Sequence, residues 1–337
     1  MTTPRTVDAH AHFVPPRVLE ELARHPDRYG AGVEELEGGR KRVRFPDLGS
    51  TRPVLPRLLD LAARRHTMTA TGVDQEILAP WMDLVGYSLP PEEGQRWSRL
   101  LNESLAEALH ADGSGSFLGV ATVPLQDGTR AAAELEHAIG GLGLRAVQIG
   151  TNVMGSPLDR PGLDPFWAAA AALRVPIILH PWHVAGEDRL GPHGFLRLLG
   201  YPFDTTLAAG AMVFGGVADR FPELRVMLVH AGGFFPYQAG RLERGHRLEA
   251  GARGLGPIDA LRWFYYDTIT HWALPLRYLA EVTGADRIML GSDYPFDVGD
   301  PDPVASVRAA RLTESAEVAI LGATALTLFG GTPPAGP

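Results

Sequence analysis

The 337-residue chain has no cysteine, and of its 31 basic residues only Lys41 is lysine. Without thiols there are no disulfides and no thiolate metal sites. Nor does any apolar run approach the roughly 20 residues that a membrane-spanning helix needs; the longest apolar stretches are short and stop at histidine. Residues 1–15 are polar or broken by proline and hold no signal-peptide core, so the expectation is a cytoplasmic enzyme with no membrane partner. A formal charge of −8 opposes general affinity for nucleic acid or anionic lipid. No linker and no low-complexity segment interrupts the chain. Its 45% hydrophobic and 21% charged residues are those of an ordinary globular protein with ample core.

What is present is a repeated alternation of strand and helix. Apolar runs at 7–13, 75–80, 117–123, 146–149, 176–180, 225–230, 264–268 and 287–291 read as strands. Helical periodicity covers 16–25, 54–71, 91–110, 129–139, 164–173 (Asp164 as cap), 195–221, 238–249, 274–283 and one or two segments within 306–329. Several strands are continuously apolar, as in a parallel sheet buried on both faces. Eight units without a Gly-rich phosphate turn after the first strand favour a (β/α)8 TIM barrel over an open doubly wound sheet. Residues 26–53, rich in Gly, Pro and charge, read as an insertion after strand one, with 41–45 alternating like an edge strand. The whole chain, 1–337, is expected to be one domain.

In such barrels the chemistry sits at the C-terminal ends of the strands. Strand one carries His10 and His12, two residues apart and therefore on one face. The fifth ends in His180, the sixth in His230, and the eighth leads to Asp293. One histidine ending a strand is commonly a hydrogen-bonded structural residue; three such strands plus an aspartate form a set. His10, His12, His180 and Asp293 offer three imidazoles and a carboxylate, suited to one divalent ion, Zn2+ first and Mn2+ as the alternative. A bound cation lowers the pKa of water toward neutrality, and His230 is placed either to exchange protons or to act as a fifth ligand. Trp182 and Phe296, beside ligands, are candidates to wall a planar substrate. Asp267 and His271 are candidates to orient His230 or a ligand.

These residues fall in motifs that resemble the amidohydrolase superfamily, and within it the aminocarboxymuconate-semialdehyde decarboxylase-like branch. The matching pieces are Asp8-Ala9-His10-Ala11-His12-Phe13, Thr51-Arg52-Pro53-Val54, Gly72-Val73-Asp74, Val123-Pro124-Leu125-Gln126, Val147-Gln148-Ile149-Gly150, His180-Pro181-Trp182, the Gly-rich run His230 to Arg241, and Leu290-Gly291-Ser292-Asp293-Tyr294-Pro295-Phe296. The resemblance implies that His10, His12, His180 and Asp293 bind one metal, and that His230 is catalytic, with Asp293 counted beside it. It implies that Arg52 and Arg241 hold a substrate carboxylate, the latter across a homodimer interface; guanidinium binds carboxylate bidentately and stays charged. Binuclear relatives bridge two metals with a carbamylated lysine from strand four. That strand is here Arg145 to Gly150, and no lysine follows Lys41, so one metal is expected.

The expected activity is non-oxidative decarboxylation of a small unsaturated or aromatic carboxylic acid. Metal-dependent hydrolysis of an ester, lactone or amide, or hydration of a C=C bond, would use the same residues; an inactive scaffold would have lost some of them. The pocket walls depart from the muconate-semialdehyde enzymes. Residues 193–206 lack their tryptophan pair, residues 30–51 offer no clear match to their substrate-contacting lysine and asparagine, and His183 stands where close relatives carry aspartate.

Overall fold

Eleven strands are present in the computed structural model, which describes residues 5–25, 28–249 and 254–330. In chain order they are β1 (Val7–Phe13), β2 (Gly32–Glu35), β3 (Lys41–Phe45), β4 (Gly49–Ser50), β5 (Gln75–Pro80), β6 (Phe117–Thr122), β7 (Ala146–Gly150), β8 (Pro176–His180), β9 (Arg225–Leu228), β10 (Phe264–Asp267) and β11 (Ile288–Met289). Strands β1 and β5 to β11 pair in sequence order, all parallel, with helices between successive strands. The seam is stitched by the segment just past β11: Ala9 N–H donates to Leu290 O (2.8 Å), Asp293 N–H to His10 O (2.8 Å) and His12 N–H to Tyr294 O (2.8 Å). The result is the expected (β/α)8 barrel, and the residues that close it are those expected to carry its chemistry.

Alternation along the strands divides two cores. Ala9, Ile77, Ala79, Val120, Ile178, Met227 and Met289 fill the barrel interior, and Leu328 and Phe329 of the last helix close its floor. Their neighbours Leu78, Val147, Ile177, Leu179, Val226 and Leu228 face outward against Phe166, Trp167 and Phe235 of the surrounding helices. Each such side chain contributes roughly 1.5–3 kcal/mol on burial. Among the described residues, no helix is long and apolar enough to cross a membrane.

The segment read as an insertion is an antiparallel sheet ordered β2-β3-β4, so the expected edge strand 41–45 is its central strand. Val43 and Phe45 point inward to join Val18, Leu22, Trp97 and Leu101 in a third apolar cluster. Glycines 38, 39 and 49, all at positive φ, supply the turns that let chain pair on both sides of β3. This sheet stands over the C-terminal end of the barrel and supplies one wall of the cavity described below.

Local chemistry moves several boundaries. Pro56 opens a short turn, and the helix expected from residue 54 begins at Leu61, where the Asp60 side chain accepts from Ala63 N–H. Asp164 does not cap its helix; it is the first helical residue and pairs instead with Arg220 at 3.2 Å. The region 195–221 breaks at Gly215-Gly216 into helices Tyr201–Phe214 and Val217–Arg220. The closing region splits into Pro303–Ala309, capped by Asp302, then Glu314–Val318, capped by Thr313, and Thr324–Phe329.

Candidate metal centre and active site

The barrel brings His10, His12, His180, His230 and Asp293 to one point. His10 and His12 come from within β1, whose pairing with β5 shifts register between Asp8 and Ala11. His180 is the last residue of β8. His230 and Asp293 follow β9 and β11, both at positive φ (53° and 58°). Such backbone persists in non-glycine residues only where the surroundings hold it, and it is concentrated at functional sites. His10 Nε2 is 3.2 Å from His12 Nε2 and 3.6 Å from Asp293 Oδ1; His12 Nε2 is 3.2 Å from the same oxygen. His230 Nε2 lies 3.7 Å from Asp293 Oδ2. One donor atom from each of His10, His180, His230 and Asp293 falls within 4.8 Å of the other three.

The other face of each ring determines which nitrogen points inward. His10 Nδ1 bonds Asp267 Oδ2 at 2.7 Å, and His180 Nδ1 bonds the Pro181 carbonyl at 2.9 Å, leaving both Nε2 atoms to face the cluster. Asp267 is fully buried and also accepts from the N–H groups of His230 (2.8 Å), Ala231 (2.7 Å) and Ile269 (3.1 Å). One carboxylate therefore fixes both the His10 ring and the strained turn that presents His230. Beneath β1, Asp8 accepts from His10 N–H (3.0 Å), from Ser292 N–H (3.1 Å) and from the Ser292 hydroxyl.

Burial and mutual charge set the protonation pattern. Burial pushes His12 down despite Asp293, and burial together with the other three imidazoles pushes His180 further down. Burial also acts against the His10 cation, but its bond to Asp267 and the charge of Asp293 outweigh this and raise it. Burial works against ionised Asp293, yet the imidazoles of His12, His230 and His10 beside it hold it well below the usual carboxylate range. With His12 and His180 pushed toward the neutral form beside an ionised carboxylate, their lone pairs are available to a divalent cation, and His10 joins them on giving up its proton. Asp293 Oδ1 is buried without a hydrogen-bond partner among the described residues, an atom that such a cation would satisfy. The nitrogen and oxygen donor set, without sulfur, fits Zn2+, Mn2+ and similar ions.

A cavity of about 270 Å³ opens over Asp293 and His180. Its walls include Trp81, Trp182, Phe296 and Tyr201, with Arg52 at the rim. The Phe296 ring lies 5.4 Å from that of His12. Trp182 packs edge-on against Tyr87 at 5.3 Å. Arg52 stands over Trp81 (5.2 Å) and Phe296 (5.4 Å) and grips Asp83 with two parallel bonds, Nε to Oδ2 at 2.9 Å and Nη2 to Oδ1 at 2.8 Å. Arg52, Trp182 and Phe296 thus share the cavity with His180 and Asp293. Arg241 does not: it is exposed on helix Phe235–Glu249, away from its own chain's cavity. His183, 3.9 Å from Glu187, lines the cavity mouth, and His271 is exposed.

Three residues at the site escaped the reading of the sequence. Asp83 and Trp81 directly follow β5, so the rule that barrel sites lie past strand ends could have found them. Tyr201 opens a helix, and no strand-end signal marks it.

Comparison with known proteins agrees with this geometry. A family model described as Amidohydrolase matches residues 7–331. The chain is 30% identical over 336 residues to a 2-amino-3-carboxymuconate-6-semialdehyde decarboxylase from Dictyostelium discoideum, covering 97% of this chain and 92% of that protein. The crystal structure of 5-carboxyvanillate decarboxylase from Sphingomonas paucimobilis superposes with a TM-score of 0.81 at 24% identity, over 97% of this chain and 99% of that one. A dihydroxybenzoic acid decarboxylase from Polaromonas sp., solved with bound manganese and the inhibitor 2-nitroresorcinol, matches with a TM-score of 0.77 at 24% identity, over 97% of each chain.

Proposed function

Since the chain belongs to the amidohydrolase family, in its aminocarboxymuconate-semialdehyde decarboxylase-like branch, we propose that it is a metal-dependent, non-oxidative decarboxylase of a small aromatic or unsaturated carboxylic acid. The observation that carries this reading is the placement of His230. It is the least buried of the clustered side chains, 13% exposed against 7% for Asp293 and 1% or less for His10 and His12. It stands beside Asp293 under a cavity walled by aromatic rings.

In this reading His10, His12, His180 and Asp293 hold one divalent ion, Zn2+ or Mn2+, and His230 is left to move protons. When bound, the ion supplies a Lewis acid that neutralises and orients the oxygens of the substrate. Trp182 and Phe296 hold the planar acid, and Arg52 draws its carboxylate to the rim. His230 delivers a proton to the carbon that bears the carboxylate, making that carbon tetrahedral. The C–C bond then breaks, its electron pair restores the conjugated system, and CO2 leaves. Asp293 stays ionised beside the imidazole throughout, and Asp267 keeps the His230 turn in register through its two backbone bonds.

A homodimer belongs to the same reading. Leu198, Leu199, Phe203, Leu207, Phe234, Tyr237 and Trp272 are large apolar side chains left exposed. Their helices touch: Phe234 N–H donates to Thr206 Oγ1 (2.7 Å), and the Tyr237 and Tyr278 rings are 6.3 Å apart. An apolar surface of this kind on the helix that also carries Arg241 suits a second copy of the chain, and would place Arg241 at a neighbouring cavity.

The test is CO2 release by metal-loaded protein from a panel of aromatic and unsaturated acids, with each product identified. CO2 in equal amount to a product lacking the carboxyl group supports decarboxylation. Cleavage of an ester, lactone or amide, or hydration of a double bond, without CO2 overturns it.

A further inference from the structure

Among the described residues, Tyr201 is a cavity-lining side chain whose hydroxyl the protein leaves without a partner, as it does the buried Nε1 of Trp81. Its ring stacks on His230, with centroids 6.2 Å apart and planes 29° apart, and meets His180 edge-on at 6.3 Å. It lines the same cavity as Asp293, Arg52 and Phe296. Its backbone carbonyl accepts from Thr205 (3.1 Å), but its phenolic hydroxyl has no hydrogen bond among the described residues. Arg52, by contrast, is half engaged: Asp83 fills one edge of its guanidinium and leaves the other for the substrate carboxylate.

We infer that Tyr201 is a specificity-determining residue whose hydroxyl donates a hydrogen bond to a second oxygen of the substrate, a hydroxyl or carbonyl carried near the reacting carboxylate. The inference rests on the decarboxylase reading of the site and adds to it what the acid must carry besides its carboxyl group. A polar donor facing an aromatic-walled cavity discriminates strongly, because a ligand lacking the acceptor leaves the donor unpaired. Burial raises the Tyr201 phenol above its ordinary value, with Arg52 acting the other way, so at neutral pH it is a donor. Its stacking on His230 places that donor next to the group that handles the proton.

The experiment is equilibrium titration of Mn2+-loaded parent and Tyr201→Phe protein with benzoate and with 2-, 3- and 4-hydroxybenzoate. Phenylalanine keeps the ring against His230 and removes only the hydroxyl. At least one hydroxybenzoate is expected to bind the parent about tenfold more tightly than benzoate, the scale of one hydrogen bond. Tyr201→Phe should erase that preference and leave the benzoate affinity unchanged. Equal weakening of benzoate and the hydroxybenzoates, as a merely structural role would give, overturns the inference; so does a parent with no preference for any hydroxybenzoate, or a preference that survives the substitution. The titrations read binding alone. Failure to release CO2 from any acid would remove the decarboxylase reading and leave these outcomes interpretable.

Discussion

The Nδ1 atom of His10 and the Oδ2 atom of Asp267 are 2.7 Å apart, both buried, and 257 residues apart in sequence. This bond joins the first barrel strand to the seventh and fixes which nitrogen of His10 faces the proposed metal. The same carboxylate accepts three backbone N–H bonds, two of them at His230 and Ala231. Asp267→Asn puts an amide NH2 against donors that now meet an oxygen. Metal affinity is expected to fall about 10–100-fold, measured by competition with a chelator of known affinity. Unchanged affinity would mean that the His10 ring is held by packing alone.

His230 and the three other histidines are assigned different roles, and substitution separates them. His230→Asn should retain one metal per chain while its turnover falls about 10²–10⁴-fold. His10→Ala and His180→Ala should lose the metal. Elemental analysis beside activity checks both, and a His230→Asn protein isolated without metal would make His230 a ligand.

Stability beneath the site depends on a charge network. Arg64 is fully buried, bonds Glu76 at 3.0 Å and the His12 carbonyl, and lies 4.5 Å from the centre of the Tyr294 ring. Burial raises Glu76 against the pull of Arg64; burial, with Glu76 nearby, pushes Asp8 up to about 7. Arg64→Met leaves Glu76 buried without its cation and should cost about 3 kcal/mol in chemical denaturation. Adding Glu76→Gln should recover part of that loss. An Arg64→Met protein as stable as the parent would show that the pair contributes nothing.

Metal binding should displace protons in a set ratio. In metal-free protein the bond to Asp267 and the charge of Asp293 raise His10 despite its burial, whereas His12 and His180 are pushed down. His10 is therefore the imidazole of the three that keeps its proton to the highest pH in the metal-free site, a proton that the cation must expel. Calorimetry in buffers of different ionisation enthalpy should show release of about one proton, declining as pH rises through the His10 value. Release that does not decline as pH rises would place the displaced proton elsewhere than on His10.

The barrel is legible because strands buried on both faces have to be continuously apolar, and three of them lead to a chemically conspicuous residue: His180, His230 and Asp293. The alternation in β1 likewise put His10 and His12 on one face before any coordinates. What the sequence concealed was long-range or irregular. The central place of β3 depends on which glycine turns bring chain to its two sides. The Arg52–Asp83 pair spans 31 residues, and each side chain alone reads as an ordinary surface charge. Asp267 is legible near a strand end as a candidate to orient His230 or a ligand, but its four hydrogen bonds depend on the positive-φ turn at His230. Tyr201 opens a helix, where no strand-end signal marks it as part of the cavity wall.

Decarboxylation by proton delivery makes its sharpest statement about where a hydrogen goes. The measurement is turnover of an accepted acid by metal-loaded protein in D2O, with CO2 and product followed by mass spectrometry and NMR. One deuterium at the carbon that bore the carboxyl group, with CO2 equal to product, is the result expected of His230 acting as the acid. A product that keeps its carboxylate and has gained the elements of water, with no CO2, would contradict it.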